Sequence, residues 1–363
     1  MLLENQDSNM KDDGIKKSNK NFTIFNIILI IVIFIGLAIY MISVDGIDNI
    51  IYLLQNVNYF WVIGGLLCLF GVWLCESITL HIPLKQMYPD NRFSTSIKVS
   101  MIGQLFNNIT PFSSGGQPMQ AYELTKTGKR VSDSLSALAM KFIITQIALI
   151  TFTIGVVIFK FDFFINIFKD FLWVVILGFA INIIAIIFVI LMGINENIVI
   201  KIASPFIKLL GKFHIGKWRI FKDVDNTLLK FKDSVKNFHN QFLEMKAHKK
   251  MVLKIFIISF IQSLLYYSIT YMVYRAFGNS GTSFFEIITV QSFLLLIMTF
   301  IPTPGSGLGA EGGFLLLFNS IFINGTINMS ILFWRIYTFY LPIIVGALFL
   351  IPTSYKKKSN NKV

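Results

Sequence analysis

Charged residues are scarce in this chain, because Asp, Glu, Lys and Arg together make up only 14% of its 363 residues. A soluble globular domain usually carries about 25%. Apolar residues make up 55% of the chain, and Phe alone occurs 37 times. This composition excludes a soluble enzyme, a disordered tail protein and a secreted disulfide scaffold. It leaves room for roughly six to eight membrane crossings of about 20 residues each.

Cysteine is almost absent, and the two that occur, Cys68 and Cys75, cannot pair with each other. Their spacing of seven places them on one face of the same helix with Cα atoms roughly 10 Å apart, which exceeds the reach of a disulfide. We predict that both are small core residues. The sequence also lacks a Ser/His/Asp set, a catalytic carboxylate pair and a metal-ligand cluster, so we expect no catalytic residues, no metal site and no cofactor.

Six uninterrupted apolar runs are long enough to cross a membrane as helices. Lysines precede the first run and no small-x-small cleavage site follows it, so it is interpreted as a retained helix rather than a signal peptide. The six runs are residues 22–44, 59–80, 135–159, 172–193, 251–277 and 330–352.

The net charge of +13 would suggest nucleic acid in a soluble protein, but here its distribution reports membrane orientation. The connection 194–250 carries twelve Lys and Arg against five Asp and Glu, whereas the connection 45–58 carries neither Lys nor Arg. Lysines are also frequent in both terminal tails. We therefore predict a multi-pass protein of a bacterial plasma membrane with both termini cytoplasmic, an anionic cytoplasmic leaflet as a partner and no nucleic acid.

Two other segments, 97–124 and 284–323, are apolar or amphipathic but are interrupted by Pro, Ser and Gly. A helix cannot continue through such an interruption, since Pro removes a donor and Gly destabilises a helix interior. Non-helical backbone at membrane depth must be satisfied by protein or trapped water. We predict two re-entrant helical hairpins, of which the first opens to the cytoplasm and the second to the outside.

These segments repeat in order, since each half reads span, span, hairpin, span, and the two halves start on opposite sides. The interruption TPFSSG at 110–115 also parallels TPGSG at 303–307. The predicted fold is an all-α polytopic membrane protein with about six full transmembrane helices plus two re-entrant hairpins in two inverted repeats. Paired broken helices in inverted halves indicate a transport site near the bilayer midplane. The predicted divisions are a cytoplasmic tail 1–21, a first repeat 22–159, an outside loop 160–171, a second repeat 172–352 with the basic insertion 194–250, and a basic tail 353–363.

The first hairpin presents hydroxyl, amide and carboxylate groups together with two glycines at and after its interruption. These groups suit a phosphate or another polar lipid headgroup, and a helix that resumes at Gln117 and Pro118 would attract an anion at its N-terminus. Alternatively, they only satisfy the broken backbone. The candidate residues are Asn107, Asn108, Thr110, Pro111, Ser113, Ser114, Gly115, Gly116, Gln117, Gln120 and Glu123.

The second hairpin carries an ionisable residue near membrane depth, Glu311, and a functional role is the default hypothesis for such a group. Arg335, in the last span, is its predicted partner and could instead bind a lipid phosphate bidentately. The alternative is a purely structural pair. The candidate residues here are Thr303, Pro304, Gly305, Ser306, Gly307, Gly309, Glu311 and Arg335.

Other intramembrane polar groups favour structural interpretations. We expect Lys141 to extend to the cytoplasmic surface, Glu286 to be solvated near the outer interface, and Gln262 to join neighbouring helices. Glu76 has no visible set of metal-binding partners. In the basic insertion, an apolar stripe with alternating spacings of four and three predicts a helix that lies on the anionic leaflet or packs against a neighbouring helix. The stripe consists of Val224, Leu228, Phe231, Val235, Phe238 and Phe242.

Four motifs together carry a family resemblance: GQLFNNITPF at 103–112, SGGQP at 114–118, PGSG at 304–307 leading to Glu311, and then Arg335. This combination resembles the lysylphosphatidylglycerol synthase transmembrane-region family over about residues 20–352. The resemblance implies an integral membrane flippase or translocase that acts on an anionic or aminoacylated phospholipid, or a related lipid, with the hairpins along its path. Many members carry an Arg soon after the first Gly-Gly, whereas this chain has Gln117 and Gln120, which bears on headgroup specificity.

The resemblance also suggests an alternative activity, a phosphatidylglycerol lysyltransferase that uses lysyl-tRNA and confers resistance to cationic antimicrobial peptides. The bifunctional members carry a cytoplasmic acyltransferase-like domain after the membrane region, whereas eleven residues follow Pro352 here. We therefore expect no catalytic domain in this chain. A scaffold for cell-envelope enzymes is a third hypothesis, and a homo-oligomer stays open.

Overall fold

A computed structural model describes residues 47–168, 194–212, 224–298, 307–323 and 325–350, together with residues 35, 180, 183, 184, 187, 190, 191, 214, 215, 218 and 219. This part of the chain is helical apart from one antiparallel pair of two-residue strands, β1 (His214–Ile215) and β2 (Trp218–Arg219). The helices are α1 (Ile47–Gln55), α2 (Tyr59–Met87), α3 (Phe93–Ile109), α4 (Gly116–Lys126), α5 (Val131–Phe159), α6 (Phe161–Phe168), α7 (Glu196–Lys212), α8 (Val224–Ala247), α9 (Lys249–Ala276), α10 (Phe284–Met298), α11 (Gly307–Phe318), α12 (Ile327–Arg335) and α13 (Leu341–Leu348).

Four helical segments are long and apolar enough to cross a membrane, and they coincide with four of the six predicted spans. They are α2, α5, α9 and the continuous segment Ile327–Leu348, in which a π-helical turn, Ile336–Tyr340, joins α12 to α13. The all-helical polytopic fold is thereby confirmed. Most of the predicted spans 22–44 and 172–193 lies outside the described residues, so the complete repeat stays a prediction.

Helix α2 packs closely against α9 and the last span because its glycines allow close approach. A Cβ on Gly71 would come within 2.8 Å of the Leu265 side chain on α9, and one on Gly65 would come within 3.2 Å of Tyr337. Small residues at such interfaces let helices pack by van der Waals contact where lipid supplies no hydrophobic driving force. Cys68 and Cys75 are buried on this helix as free thiols, as expected.

The first predicted hairpin is formed by α3 and α4, which pack against each other across the interruption 110–115. Its first helix begins at Phe93, four residues before the predicted boundary. In the second segment, α10 and α11 also pack against each other, but the intervening residues 299–306 lie outside the described part. Two predicted outside connections contain short helices, α1 and α6, which the hydropathy pattern does not predict.

Tyr88, in the connection after α2, forms hydrogen bonds with residues at the start of α5. Its hydroxyl donates to Oδ2 of Asp133 at 2.6 Å and accepts from the backbone N–H of Arg130 at 3.1 Å. Burial, together with the hydrogen bond to the Asp133 carboxylate, raises the pKa of Tyr88 above its usual value. The phenol therefore remains a proton donor throughout the physiological range.

The apolar stripe of the basic insertion packs against a neighbouring helix. On α8, Leu228, Val235 and Phe242 are buried, and the backbone carbonyl of Phe238 accepts a hydrogen bond from Ser136 of α5 at 3.2 Å. Of the two predicted interpretations, helix packing is the one that these contacts show. Lysines at other positions of α8, including Lys230 and Lys232, are exposed.

The last span packs tightly against the first hairpin at Gly346. A Cβ there would lie 2.6 Å from the carbonyl oxygen of Met101 and 2.7 Å from Cβ of Leu105, so even a methyl group requires the backbone to move. We expect Gly346→Ala to lower the stability by about 1–3 kcal/mol through overpacking. The measurement is thermal unfolding of the purified protein in detergent.

Gly155 on α5 supplies the matched control, because a Cβ there would meet no atom within 4 Å. Gly155→Ala should stabilise its helix by roughly 0.5–1 kcal/mol, since Ala loses less backbone entropy than Gly on folding. Equal melting temperatures for the two variants would contradict a tight contact at Gly346.

Candidate functional site

Polar side chains of the first hairpin form hydrogen bonds with the backbone at its interruption. Thr110 Oγ1 accepts from the backbone N–H of Gly115 at 2.8 Å and donates to the carbonyl of Phe106 at 2.6 Å. Asn107 Oδ1 accepts from the backbone N–H of Gly116 at 3.0 Å. These contacts satisfy the groups that a break leaves unpaired. Thr110 and the Asn107 oxygen thus hydrogen-bond to the broken backbone, and a headgroup-binding role for them stays a prediction.

The turn itself contains two consecutive non-glycine residues in the left-handed region, Phe112 with φ 55° and Ser113 with φ 52°. Such conformations are costly for residues other than Gly and tend to persist at functional sites. Ser114 donates to the Pro111 carbonyl at 2.9 Å and helps to hold the turn. Phe112 and Ser113 therefore lie in a turn that is held by a hydrogen bond.

Both strained residues line a cavity of about 290 Å³, here named the Arg335 cavity. Spans α2, α5 and α9, the first hairpin and α10 surround it, and the last span contributes Arg335, Thr338 and Pro342. The lining surface is mostly apolar but also carries polar side chains from several helices, a combination that suits a small-molecule or lipid site. The polar side chains on its wall are Gln104, Asn107, Asn108, Ser113, Thr145, Gln262, Ser263, Tyr266, Tyr267, Arg335 and Thr338.

Of the described residues that line this cavity, Arg335 is the one with a charged side chain. It is only 2% exposed. Its Nε donates to Glu311 Oε1 on α11 at 2.7 Å, so the predicted pair is present. The guanidinium also lies 5.0 Å from the ring centroid of Trp334 and 5.4 Å from that of Phe339, which are cation–π distances. A positive charge is therefore held in a fixed orientation on the cavity wall.

The helix changes its winding immediately after Arg335. The Leu341 backbone N–H donates to the carbonyl of Ile336, five residues earlier, within the π-helical turn Ile336–Tyr340. Pro342 explains this turn, because it has no N–H and its ring would clash with the carbonyl of Thr338 in an α-helix. π-Helical turns are frequent at functional sites, and this one places Thr338 and Pro342 on the cavity wall.

A second buried ion pair lies beside this cavity and corrects the expectation for Lys141. Lys141 Nζ donates to Glu76 Oε1, and Gln262 Nε2 donates to Glu76 Oε2 at 2.9 Å. Lys141 therefore turns to a carboxylate inside the bundle instead of extending to the surface. Gln262 joins helices, as expected, but it also lines the cavity. The functional interest of these residues could not be read from spacing, since each lies on a different helix.

Glu286 also differs from its expected solvated state. Its Oε1 pairs with Lys160 at 3.0 Å, and its Oε2 accepts from the backbone N–H of Ser283 at the start of α10. This side chain is 21% exposed, so it is half-buried at the helix end. The acceptor satisfies an N-terminal donor of α10, which is a structural role.

Of the remaining residues that the sequence predicts for the site, some line the Arg335 cavity and others do not. Asn107, Asn108 and Ser113 line the Arg335 cavity, whereas Gln117 is exposed away from its wall. Gln120 is buried against Gly103, and Glu123 pairs with Lys126 at 2.6 Å. Pro118 lies in the first turn of α4, as predicted. Gly307 and Gly309 begin α11, while Thr303, Pro304, Gly305 and Ser306 lie outside the described residues.

No group of three or more His, Cys, Asp or Glu side chains that could hold a metal occurs in the described part of the chain. The charged groups near the cavity instead form the two pairs already described. The chemistry on its wall is therefore a guanidinium, amides and hydroxyls in an apolar surround.

Comparison with known proteins agrees with this membrane architecture. A protein named UPF0104 membrane protein, from Archaeoglobus fulgidus, is 20% identical over 310 residues, which cover 81% of this chain and 87% of that protein. The sequence model of a family described as the lysylphosphatidylglycerol synthase TM region matches residues 27–346. Since this match extends over most of the chain, the protein belongs to the lysylphosphatidylglycerol synthase transmembrane-region family.

Proposed function

We propose that this protein binds the headgroup of an anionic or aminoacylated phospholipid in the Arg335 cavity and moves the lipid between membrane leaflets. The observation that carries the proposal is the buried guanidinium on the wall of a cavity to which the first hairpin, α10 and the last span all contribute. A positive charge inside a membrane protein is costly and marks a substrate path by default. Membership in a family named for a phospholipid synthase supports a lipid as the substrate.

The ion pair suits a headgroup with charges of both signs. A lipid phosphate is attracted to Arg335, for which it competes with the Glu311 carboxylate. Glu311 Oε2 is buried and has no hydrogen-bond partner among the residues that the structure describes, so this carboxylate is suited to accept from an ammonium. An aminoacylated phospholipid supplies both groups. The amides of Asn107 and Asn108 and the hydroxyl of Ser113 line the same cavity and suit further headgroup contacts.

Translocation is tested with purified protein in liposomes that contain fluorescently labelled phosphatidylglycerol or lysyl-phosphatidylglycerol. Reduction of the outer label by an impermeant reagent reports how fast lipid crosses from the inner leaflet. We expect the protein to accelerate crossing of at least one of the two lipids over protein-free liposomes. If phosphatidylglycerol and its lysyl derivative both cross at the protein-free rate, the proposal is wrong.

The lysyltransferase is the alternative that the family description suggests, and a separate assay distinguishes it. Membranes with and without this protein are supplied with charged lysyl-tRNA, and lysyl lipid is measured by mass spectrometry. Under the translocase proposal the protein alone forms no new lysyl lipid. Protein-dependent lysyl lipid would instead support the enzyme, and a link to cationic-peptide resistance would follow from either activity.

A further inference from the structure

A second cavity of about 440 Å³, here named the Lys246–Lys249 cavity, lies apart from the site proposed for transport. Its wall is formed by α5, the end of α8 and the start of α9, together with Ile190 and Ile194. None of the described residues on its wall belongs to the wall of the Arg335 cavity. On the α5–α9 interface, the Thr145 and Ser259 hydroxyls hydrogen-bond at 3.0 Å, and Thr145 faces the Arg335 cavity.

The wall of this cavity is apolar except for two lysines. Side chains such as Ile144, Ile147 and Phe256 supply a surface suited to hydrocarbon, while Lys246 and Lys249 carry positive charge. The described wall residues include no carboxylate. Both lysines are exposed, and neither has an ion pair with an acidic side chain in the described part of the chain. The cavity is thus complementary to an amphiphile with a negative head.

Along α9, the charged part of the cavity wall precedes the apolar part. Lys249 is the first residue of this span, and Phe256 lies seven residues further, about 10 Å deeper along the helix axis. Lys246 lies at the end of α8, beside the same helix start. By the positive-inside distribution of this chain, that end of α9 is cytoplasmic, where anionic lipids concentrate. Positive charge at the interface and apolar surface below it match the arrangement of a phospholipid in that leaflet.

We propose that the Lys246–Lys249 cavity is a binding site for one anionic phospholipid of the cytoplasmic leaflet. The acyl chain occupies the apolar wall between α5 and α9, and the phosphate lies between the two ammonium groups. This site does not depend on the proposed translocase activity, because it uses different residues. Its occupant is a bound lipid that packs between the amphipathic helix α8 and the bundle.

The site is tested by native mass spectrometry of the purified protein titrated with phosphatidylglycerol or with phosphatidylcholine of the same acyl chains. The variant Lys246→Gln/Lys249→Gln should bind phosphatidylglycerol at least about tenfold more weakly, because each lysine near an anionic headgroup contributes to affinity. The matched control is Lys230→Gln/Lys232→Gln, which removes the same charge from exposed positions of α8 away from the cavity wall. The control should bind as the unmodified protein does.

The apolar part of the site has its own pair of variants. Leu253 lines the cavity and is 58% exposed, whereas Ile257, one turn further, is 49% exposed and is not on the described wall. Leu253→Trp should obstruct the cavity and weaken phosphatidylglycerol binding, and Ile257→Trp should not. Equal losses in the two lysine variants, equal affinity for the two lipids, or equal effects of the two tryptophans would each overturn the site.

Discussion

Replacing Arg335 by Gln is expected to abolish lipid translocation, to within the rate of protein-free liposomes. The side chain is 2% exposed and supplies the positive charge on the described wall of the proposed site. The same substitution leaves the Glu311 carboxylate, which is 16% exposed, without its cation. Removing one partner of a buried pair typically costs about 3–5 kcal/mol. Lost transport and lowered stability are therefore expected together and must be separated.

The double variant Glu311→Gln/Arg335→Gln separates them. Two neutral amides remove the unpaired charge, so most of the lost stability should return, while translocation should stay absent. The control is Arg275→Gln, since Arg275 lies 5.2 Å from the Trp61 ring and is not among the described residues of the cavity wall. Translocation at the unmodified rate by a folded double variant would show that the pair is structural and would remove Arg335 from the lipid path.

Replacing Lys141 by Met is expected to cause a large loss of stability. Lys141 and Glu76 are 8% and 13% exposed in their side chains, and Gln262 already donates to the other carboxylate oxygen. The variant leaves a carboxylate inside the bundle with only an amide as donor. The expected cost is again about 3–5 kcal/mol, because an uncompensated buried charge is expensive. Thermal unfolding in detergent measures it.

The pair between Lys160 and Glu286 supplies the comparison, since its side chains are 29% and 21% exposed. Lys160→Met should cost no more than about 1 kcal/mol, as solvent screens accessible pairs. The double variant Glu76→Gln/Lys141→Met should recover most of the stability that Lys141→Met loses. Similar losses for Lys141→Met and Lys160→Met would contradict the structural importance of the buried pair.

Several features of the site were predictable because their signal is local. Pro111 together with Gly115 and Gly116 cannot continue a helix, so the interruption of the first hairpin followed from residue types alone. The sequence predicts that Glu311 and Arg335 pair, because each is an ionisable residue in an apolar segment and such groups need partners. The individual hydrogen bonds of Thr110 and Asn107 were not predictable, since they depend on the angle at which the chain turns.

The sequence by itself determined an all-helical membrane protein, the position of four described spans and the interruption of the first hairpin. Hydropathy and helix-breaking residues act over one or two turns and need no knowledge of neighbouring helices. Only the tertiary structure decided which polar side chains meet Glu76. Glu76, Lys141 and Gln262 lie far apart along the chain, and their contact depends on how each helix is rotated about its axis. One residue of shift turns a helix by about 100°, so a span that is correctly placed in sequence can still present a different face.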